Sequence, residues 1–267
     1  MNVAVIGHIE WGRFVHVDHA PTSGEIIHAD DSWEEVAGGG SVAAMQLSKL
    51  NGNCFFFTSI GDDEIGKHAV SQLQESGVEV FASVQTDQST KSIFVHIDDQ
   101  YERTITVTGD LKPSGLDTSL PWDRLASMDA VYFVSGDEAA LKLARQAKAL
   151  VSTARILPLL QLTGVQLDAL VASSKDEGEV YSPGELVPEP KIVVTTKGVE
   201  GGVVDNGVTY EAAIVAHNEL VDTYGCGDSF AAGLTFGIGQ RLDLKEALKA
   251  AAQSGAEAAI RRGAFGH

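Results

Sequence analysis

One glycine-rich segment, 222–228, reads Asp-Thr-Tyr-Gly-Cys-Gly-Asp and places an acid directly after small residues. The small residues 225–227 allow the backbone to turn sharply and to approach a ligand closely. The run 229–239 that follows has helical character, and the first turn of a helix directs several N–H groups and a positive dipole at one point. Asp228 would then lie beside an anion bound by those N–H groups. A base next to an anion hole could pass a phosphoryl group to a hydroxyl.

A simpler interpretation of Asp228 stays open from these residues alone, in which the acid caps the helix and the glycines only form a tight turn. Short glycine motifs often occur without any bound phosphate. Other nucleotide motifs are missing, because Gly-His-Ile-Glu after the first apolar run has one glycine where dinucleotide-binding folds have Gly-x-Gly-x-x-Gly. No Gly-Lys-Ser or Gly-Lys-Thr occurs in the sequence, so a Walker phosphate loop is excluded as well.

The chemistry of this segment depends on a scaffold of strands and helices. Short apolar runs end in glycine or polar residues, and stretches rich in Ala, Leu, Lys and Glu with helical spacing separate several of them. Because the apolar runs do not alternate with polar residues, they predict strands covered on both faces and a mostly parallel sheet. We therefore expect a doubly wound α/β core with flanking helices. The predicted strands are 3–6, 54–59, 130–134, 155–160, 169–172 and 192–195, and the predicted helices are 41–50, 64–76, 138–151 and 244–261.

A second strand pattern predicts a small antiparallel sheet outside this core. Apolar and polar residues alternate in two neighbouring segments, as in antiparallel strands with one face in solvent, and a short polar stretch between them suits a hairpin turn. We expect lid strands from 11–31 and 88–108, which would cover a site or form half of a homodimer contact. The individual strand predictions are 14–18, 25–28, 92–98 and 103–108.

The composition sets limits on partners and location. Asp and Glu number 37 against 19 Lys and Arg, and the formal net charge of −18 repels nucleic acid and anionic membrane surfaces. No stretch approaches the roughly 20 consecutive apolar residues of a membrane helix, and the N-terminus has the pattern of a buried strand instead of a signal peptide. We therefore expect a cytoplasmic protein that binds neither nucleic acid nor membrane. No repeat or low-complexity linker divides the chain, so one domain, 1–267, is predicted.

Three motifs resemble those of the ribokinase or PfkB family of carbohydrate kinases. Segment 222–228 with its small-residue helix resembles the family's C-terminal signature, with Cys226 where alanine or glycine is usual. Segment 37–44 and the Gly-Asp-Asp at 61–63 resemble its N-terminal glycine signature, and 196–202 resembles its nucleotide-binding Thr-x-Gly-x-x-Gly. The order and spacing match over most of the chain, and the predicted lid falls where the family has one. The resemblance implies a ribokinase-like fold and an ATP-dependent kinase for a sugar, a nucleoside or a related small molecule.

The resemblance also implies roles for individual residues. Catalysis would use Asp228 as the base and the backbone N–H groups of Gly225, Cys226 and Gly227 as donors to the developing charge. Nucleotide contacts are implied for Thr196, Gly198, Gly201, Thr223, Ser174, Ala251 and Gly255. The family's Asn-x-x-Glu element for Mg²⁺ corresponds to Ser-Lys-Asp-Glu at 174–177, which makes Glu177 the candidate ligand and leaves Asp176 as a rival. A monovalent cation stays open as a third cofactor besides ATP and Mg²⁺.

The substrate side departs further from the family pattern. The candidate contacts are Glu10 after the first strand, Gly38, Gly39 and Gly40 through their backbone, Arg103 from the lid, and Asp228 itself. Val42 replaces the asparagine of the glycine signature, and Trp11 and Arg13 are added, which suits a less polar or an anionic substrate. Where some sugar kinases have Asp-x-Asn-x-Arg, 157–160 read Leu-Pro-Leu-Leu. These departures keep a second class open, a catalytically weak ligand-binding or regulatory protein on the same fold.

Cys226 carries a separate hypothesis. A thiol at a helix N-terminus tends to have a lowered pKa and to be reactive, and the alternative is a small residue that simply fits the turn. The sequence has only one further cysteine, Cys54, so the count excludes a disulfide framework and a four-thiolate zinc site.

Overall fold

The chain forms two β-sheets flanked by six α-helices within the residues that the structure describes. The structure is a computed structural model, and it describes residues 1–266 apart from the side chain of His217. The strands are β1 (Val3–Ile6), β2 (Glu10–His16), β3 (Asp31–Ala37), β4 (Cys54–Gly61), β5 (Val78–Gln85), β6 (Ser92–Ile97), β7 (Arg103–Thr108), β8 (Ala130–Phe133), β9 (Leu150–Thr153), β10 (Ala169–Ser173), β11 (Val193–Thr196), β12 (Gly202–Val204) and β13 (Thr209–Tyr210). The α-helices are α1 (Gly39–Asn51), α2 (Glu64–Glu75), α3 (Glu138–Ala144), α4 (Leu157–Thr163), α5 (Cys226–Gly239) and α6 (Leu244–Ala259).

The larger sheet has nine strands in the order β13-β12-β11-β10-β9-β8-β1-β4-β5. The pairings from β11 to β5 are parallel, and β12 and β13 add an antiparallel edge. Alternate side chains of β1 enter different layers of the core, Val3 and Val5 on one face of the sheet and Ala4 and Ile6 on the other. Helices α1, α2, α5 and α6 cover the first face, and α3 and α4 cover the second. The predicted doubly wound, mostly parallel α/β fold is confirmed.

The smaller sheet is the predicted lid. Its four strands lie in the order β3-β2-β6-β7, with antiparallel pairs at β3–β2 and β6–β7 and a parallel pairing of β2 with β6 at the centre. Its inner face packs Phe14, Val95 and other apolar side chains against Val42 and Tyr224 of the main body. The lid therefore lies directly on the elements that carry the two glycine signatures.

Two predictions around β9 were wrong. The predicted strand 155–160 is a short 3-10 turn followed by α4, and Pro158 lies in the first turn of α4, where its missing N–H costs no hydrogen bond. The predicted helix 138–151 ends at Ala144, and its last residues belong to β9. Burial explains the second error, because Leu150 and Val151 pack into the two core layers as strand residues do.

The predicted strand 25–28 lies in a loop, and the partner of β2 is β3. Local hydrogen bonds hold this loop, because the carboxylate of Glu25 accepts the backbone N–H and the hydroxyl of Thr22. The sequence also gave no prediction of β3, β5, β12 or β13. Among the described residues, no helix is both long enough and apolar enough to span a membrane.

Candidate active site

The N-terminus of α5 forms an open turn in which the N–H groups of Gly225 and Gly227 have no described partner, whereas the N–H of Cys226 donates to the carbonyl oxygen of Thr223 at 3.4 Å. Gly225 is the N-cap, with a left-handed φ of 75°, and a side chain at this position would meet Val42 Cγ1 at 2.8 Å. The first N–H groups of a helix have no partner within the helix, and no side-chain cap is found for α5 within the described chain. A methyl group at Gly227 would meet no described heavy atom within 4 Å. The turn at 225–227 therefore has two free donors and the free space that an anion needs.

Asp228 follows in the same turn, and its buried carboxylate makes no capping hydrogen bond to α5. Oδ1 accepts a hydrogen bond of 3.4 Å from the hydroxyl of Tyr132 on β8, and Oδ2 lies 3.7 Å from Nη1 of Arg155. Burial raises the pKa of Tyr132 well above its usual value, so its hydroxyl stays a donor. A methyl group at Gly39 would lie 2.7 Å from Oδ1. These contacts do not fit the simpler interpretation of Asp228 as a helix cap.

A second buried charge cluster lies where lid strand β2 begins, on the predicted substrate side. Glu10 is 5% exposed, and its Oε1 lies 3.0 Å from Nζ of Lys91 and 3.6 Å from Nε2 of His8. Nε2 of His8 accepts the N–H of Gly39 at 3.2 Å, and burial lowers the pKa of His8. The neutral form of the imidazole suits this role as acceptor. The N–H of Gly38 donates to the hydroxyl of Tyr224 at 2.8 Å.

The two glycine signatures therefore meet. Gly38 and Gly39 lie at the start of α1, and Gly39 contacts both His8 and Asp228. A methyl group at Gly40 would meet the carbonyl oxygen of His8 at 2.6 Å, so Gly40 packs against the end of β1. The structure brings the predicted residues Glu10, Gly38, Gly39, Gly40 and Asp228 to one place beneath the lid.

The predicted nucleotide residues around β11 also lie together. The N–H and the hydroxyl of Ser174 donate to the carbonyl oxygen of Thr196 at 3.0 and 3.2 Å, which joins the ends of β10 and β11. Gly198 and Gly201 adopt left-handed φ values of 61° and 80° in the turn that leads to β12. A side chain at Gly201 would collide with the backbone of Tyr210, so glycine is required there.

Of the remaining nucleotide candidates, Gly255 and Thr223 lie near the N-terminus of α5. A methyl group at Gly255 on α6 would lie 3.3 Å from the carbonyl oxygen of Cys226, whereas Ala251 is buried in the α5–α6 interface. Thr223 contacts the lid, because its hydroxyl accepts a hydrogen bond of 3.1 Å from Arg103 and donates one of 3.1 Å to the carbonyl oxygen of Tyr101. Arg103 thus touches the glycine-rich segment from the edge of the lid.

The expected metal residue lies apart from these contacts. Glu177 is exposed on a 3-10 turn after β10, and no hydrogen bond or ion pair of its side chain is found in residues 1–266. The rival Asp176 accepts the N–H of Gly178 at 2.9 Å. Within the described chain no three His, Cys, Asp or Glu side chains converge as a metal site.

Sequence reasoning missed four residues of the site, namely Arg155, Glu179, Lys91 and Tyr132. Arg155 follows β9, and its Nε and Nη2 both donate to Oε1 of the buried Glu179. An arginine after a central strand would have been a signal, because the carboxyl ends of parallel strands form the sites of α/β folds. The wrong assignment of 138–151 and 155–160 concealed it. For Lys91 no sequence motif gave a signal.

Two further groups of segment 222–228 have perturbed acidity. Burial raises the pKa of Cys226 to about 11, so the hypothesis of a lowered thiol pKa is wrong, and the loss of solvent outweighs the helix terminus. Burial also raises the pKa of Asp222 to about 6, although its carboxylate accepts the N–H groups of Tyr224 and Gly263, each at 2.7 Å.

The fold defines a ribokinase-like α/β protein with a separate small sheet beside its main sheet. The model of the family described as "pfkB family carbohydrate kinase" matches residues 1–265. The chain therefore belongs to the pfkB family of carbohydrate kinases, as the motifs predicted.

Individual relatives are similar over nearly the whole chain. The ribokinase of Lactococcus lactis is 23% identical over 270 residues, which cover 93% of this chain and 87% of that protein. The crystal structure of adenosine kinase from Sinorhizobium meliloti has a TM-score of 0.79 at 19% identity and covers 99% of this chain and 95% of its own. The ribokinase of Cryptococcus neoformans in complex with ADP has a TM-score of 0.78 at 18% identity, with coverages of 99% and 95%.

Proposed function

We propose that this chain is an ATP-dependent kinase that transfers the γ-phosphoryl group of ATP to a hydroxyl of a sugar, a nucleoside or a related small molecule. The observation that carries the proposal is that the buried Asp228 carboxylate follows the free N–H groups of Gly225 and Gly227 in the first turn of one helix. A base and an anion hole in one turn are the parts that phosphoryl transfer requires. The family of the chain and the ADP complex of the Cryptococcus relative support ATP as the donor.

The proposed reaction uses these groups. Asp228 takes the proton of the acceptor hydroxyl while the hydroxyl oxygen forms a bond to the γ-phosphorus of ATP. The bond between that phosphorus and the bridging oxygen breaks, and ADP leaves with the electron pair. The N–H groups at 225–227 stabilise the negative charge that develops on the transferred oxygens. The acceptor would lie under the lid, where Glu10 can accept hydrogen bonds from its other hydroxyls.

The nucleotide would lie between the β11–β12 turn and α6. We assign the phosphate-side contacts to Thr196, Ser174 and Thr223 and the close backbone approach to Gly198 and Gly201. Gly255 would border the base from α6, whereas Ala251 is covered by α5.

Glu177 is proposed for Mg²⁺, because the ion usually keeps several waters and needs one or two carboxylates besides the phosphates. An exposed carboxylate at the end of a central strand fits that requirement, whereas a preformed cage of three acids is not needed. When bound, Mg²⁺ would neutralise phosphate charge. We further propose a cytoplasmic location, in keeping with the use of ATP. The chain would act as one domain over 1–267, and the lid could form a homodimer contact.

The test is an ATP-consumption screen with Mg²⁺ against sugars, nucleosides and polyols, run in parallel for the unaltered protein and Asp228→Asn. We expect at least one acceptor to support turnover and the variant to lose about 10²–10⁴-fold in rate. The matched control is Asp243→Asn, an exposed N-cap of α6 where asparagine caps equally well. ATP binding without turnover on any acceptor would favour the ligand-binding alternative, and equal rates in Asp228→Asn would remove this residue from the mechanism.

A further inference from the structure

Arg155 is the cation that lies nearest to the proposed base. It follows β9 and approaches Asp228 through one edge of its guanidinium, with Nη1 at 3.7 Å from Oδ2. This distance is beyond the range of a hydrogen bond. In the described chain, no other acceptor binds Nη1, so its two N–H groups are free to bind a ligand.

The rest of the guanidinium is fixed by Glu179. Nε and Nη2 donate to the same carboxylate oxygen, and Glu179 lies on the turn after β10, the strand next to β9. The side chain of Glu179 is 11% exposed, whereas that of Arg155 is 41% exposed. A buried acid therefore orients a partly exposed arginine and leaves one edge of it open toward the site.

The position of Arg155 in the sheet indicates what this open edge can bind. The strand order places β9 and β10 between β11, which leads to Gly198 and Gly201, and β1, which leads to Glu10. A ligand group at Nη1 would thus lie between the proposed nucleotide and acceptor sites, next to the base. The group that occupies this place during phosphoryl transfer is the terminal phosphoryl group.

We propose that Arg155 binds the terminal phosphoryl group of ATP beside Asp228 and that Glu179 positions the guanidinium for this contact. The inference rests on the proposed kinase function. A planar guanidinium matches the oxygens of a phosphate and binds them more strongly than a neutral donor does. In a chain with a net charge of −18, such a cation also offsets the repulsion of the nucleotide at the point of transfer.

A role limited to neutralising Asp228 explains less of the geometry. A direct hydrogen-bonded pair would serve such a role best. Arg155 instead donates two hydrogen bonds to Glu179 and only approaches Asp228. The two roles also differ in their consequences. A neutralising cation affects every bound nucleotide to a similar degree, whereas a ligand of the terminal phosphoryl group distinguishes a triphosphate from a diphosphate.

The experiment measures binding of ADP and of the non-hydrolysable ATP analogue AMP-PNP by calorimetry, with Mg²⁺ and without an acceptor. We expect Arg155→Met to weaken AMP-PNP binding by about tenfold or more, as for one lost charge-assisted hydrogen bond, and ADP binding by less than about twofold. Arg155→Lys, which keeps the charge, should lose less. Arg124→Met is the matched control, because Arg124 is similarly exposed and paired with Glu79 at 3.2 Å.

The positioning role of Glu179 has its own test. Glu179→Gln should weaken AMP-PNP binding selectively but by less than Arg155→Met, and the double variant should match Arg155→Met alone. The double variant also removes the acid that Arg155→Met leaves unpaired, so it serves if that single variant is unstable. Equal losses for both nucleotides, or no loss, would overturn the inference and leave the kinase proposal intact. Failure of the unaltered protein to bind either nucleotide would overturn the proposed function and this inference with it.

Discussion

At the residue scale, a substitution at Gly227 should affect ligand binding without destabilising the fold. The residue has helical geometry in the first turn of α5, and a methyl group there meets no described atom within 4 Å. Gly227→Ala should therefore leave the free energy of unfolding unchanged or raise it by up to about 1 kcal/mol. The same methyl group would occupy the space of the proposed phosphate. We expect ATP affinity to fall by about tenfold or more, the size of one lost phosphate contact.

Urea denaturation and calorimetry with AMP-PNP on the same preparation measure both effects of Gly227→Ala. Unaltered nucleotide affinity in a stable variant would mean that the phosphates do not lie against the turn at 225–227. A large loss of stability would mean that the open space at Gly227 is not available to a side chain.

Asp222 makes stability depend on pH. Its pKa is about 6 in the folded chain because of burial, against an ordinary value of 3.8. Between these values the folded state binds a proton that the unfolded state has lost, so the free energy of unfolding falls as pH rises from about 4 to about 6. The loss is at most about 3 kcal/mol.

The measurement is the difference in unfolding free energy between the unaltered protein and Asp222→Asn at several pH values. The variant lacks one acceptor for the N–H groups of Tyr224 and Gly263, so it should be less stable throughout. Because the variant does not titrate, its deficit should shrink as pH rises from 4 to 6. A deficit that stays constant or grows over this range would contradict the raised pKa of Asp222.

At the element scale, the contact of α5 with α6 depends on small residues. A methyl group at Gly233 would lie 2.7 Å from Cα of Ala251 and 2.6 Å from Oγ of Ser254. The backbone of α6 cannot yield as a flexible side chain can, so the two helices must separate. Gly233→Ala should cost roughly 1–3 kcal/mol of unfolding free energy, although alanine is the better helix former.

The comparison with Gly227→Ala makes this prediction specific, since both variants carry the same substitution in the same helix. Urea denaturation should show that Gly233→Ala lowers the free energy of unfolding, whereas Gly227→Ala leaves it unchanged or raises it. If Gly233→Ala were as stable as the unaltered protein, the packing of α5 on α6 would be looser than the structure has it.

The elements that the sequence predicted correctly are those whose signal is local. The apolar run of β1 predicts a strand covered on both faces, and the glycine-rich segment places Asp228 on the first turn of a helix, because turn and helix adjoin in sequence. Arg155 and Glu179 could not be predicted in this way. Their pairing depends on β9 and β10 being neighbours in the sheet. Similarly, motif spacing alone selected Glu177 as the metal ligand. The sequence does not show that Glu179, two residues later, is the buried acid of this turn.

At the scale of the whole molecule, charge is distributed unevenly. The net charge is −18, yet Lys91, Arg103 and Arg155 all lie around the site. Each is held by a contact to the fold, through Glu10, Thr223 and Glu179 respectively. The fold therefore places three of its few cationic side chains where the proposed phosphates and acceptor lie.

The same net charge should make stability rise with salt. Like charges repel in the compact state, and raising NaCl from 0.01 to 0.15 M shortens the screening length from about 30 Å to about 8 Å. Exposed ion pairs weaken at the same time, but each contributes only about 0–1 kcal/mol. We expect repulsion to dominate and Tm to rise by about 2–4 °C, which corresponds to about 1 kcal/mol for a chain of this size.

A variant with reduced charge tests the cause of this salt effect. Asp87, Asp205 and Glu211 are exposed and have no ion pair within residues 1–266. Replacing them with Asn, Asn and Gln removes three negative charges without breaking a described contact. Because repulsion grows faster than linearly with net charge, this variant should have a higher Tm at 0.01 M NaCl and a smaller rise with salt. A Tm that falls with salt, or an equal rise in both proteins, would show that paired surface charges and not the net charge govern the response.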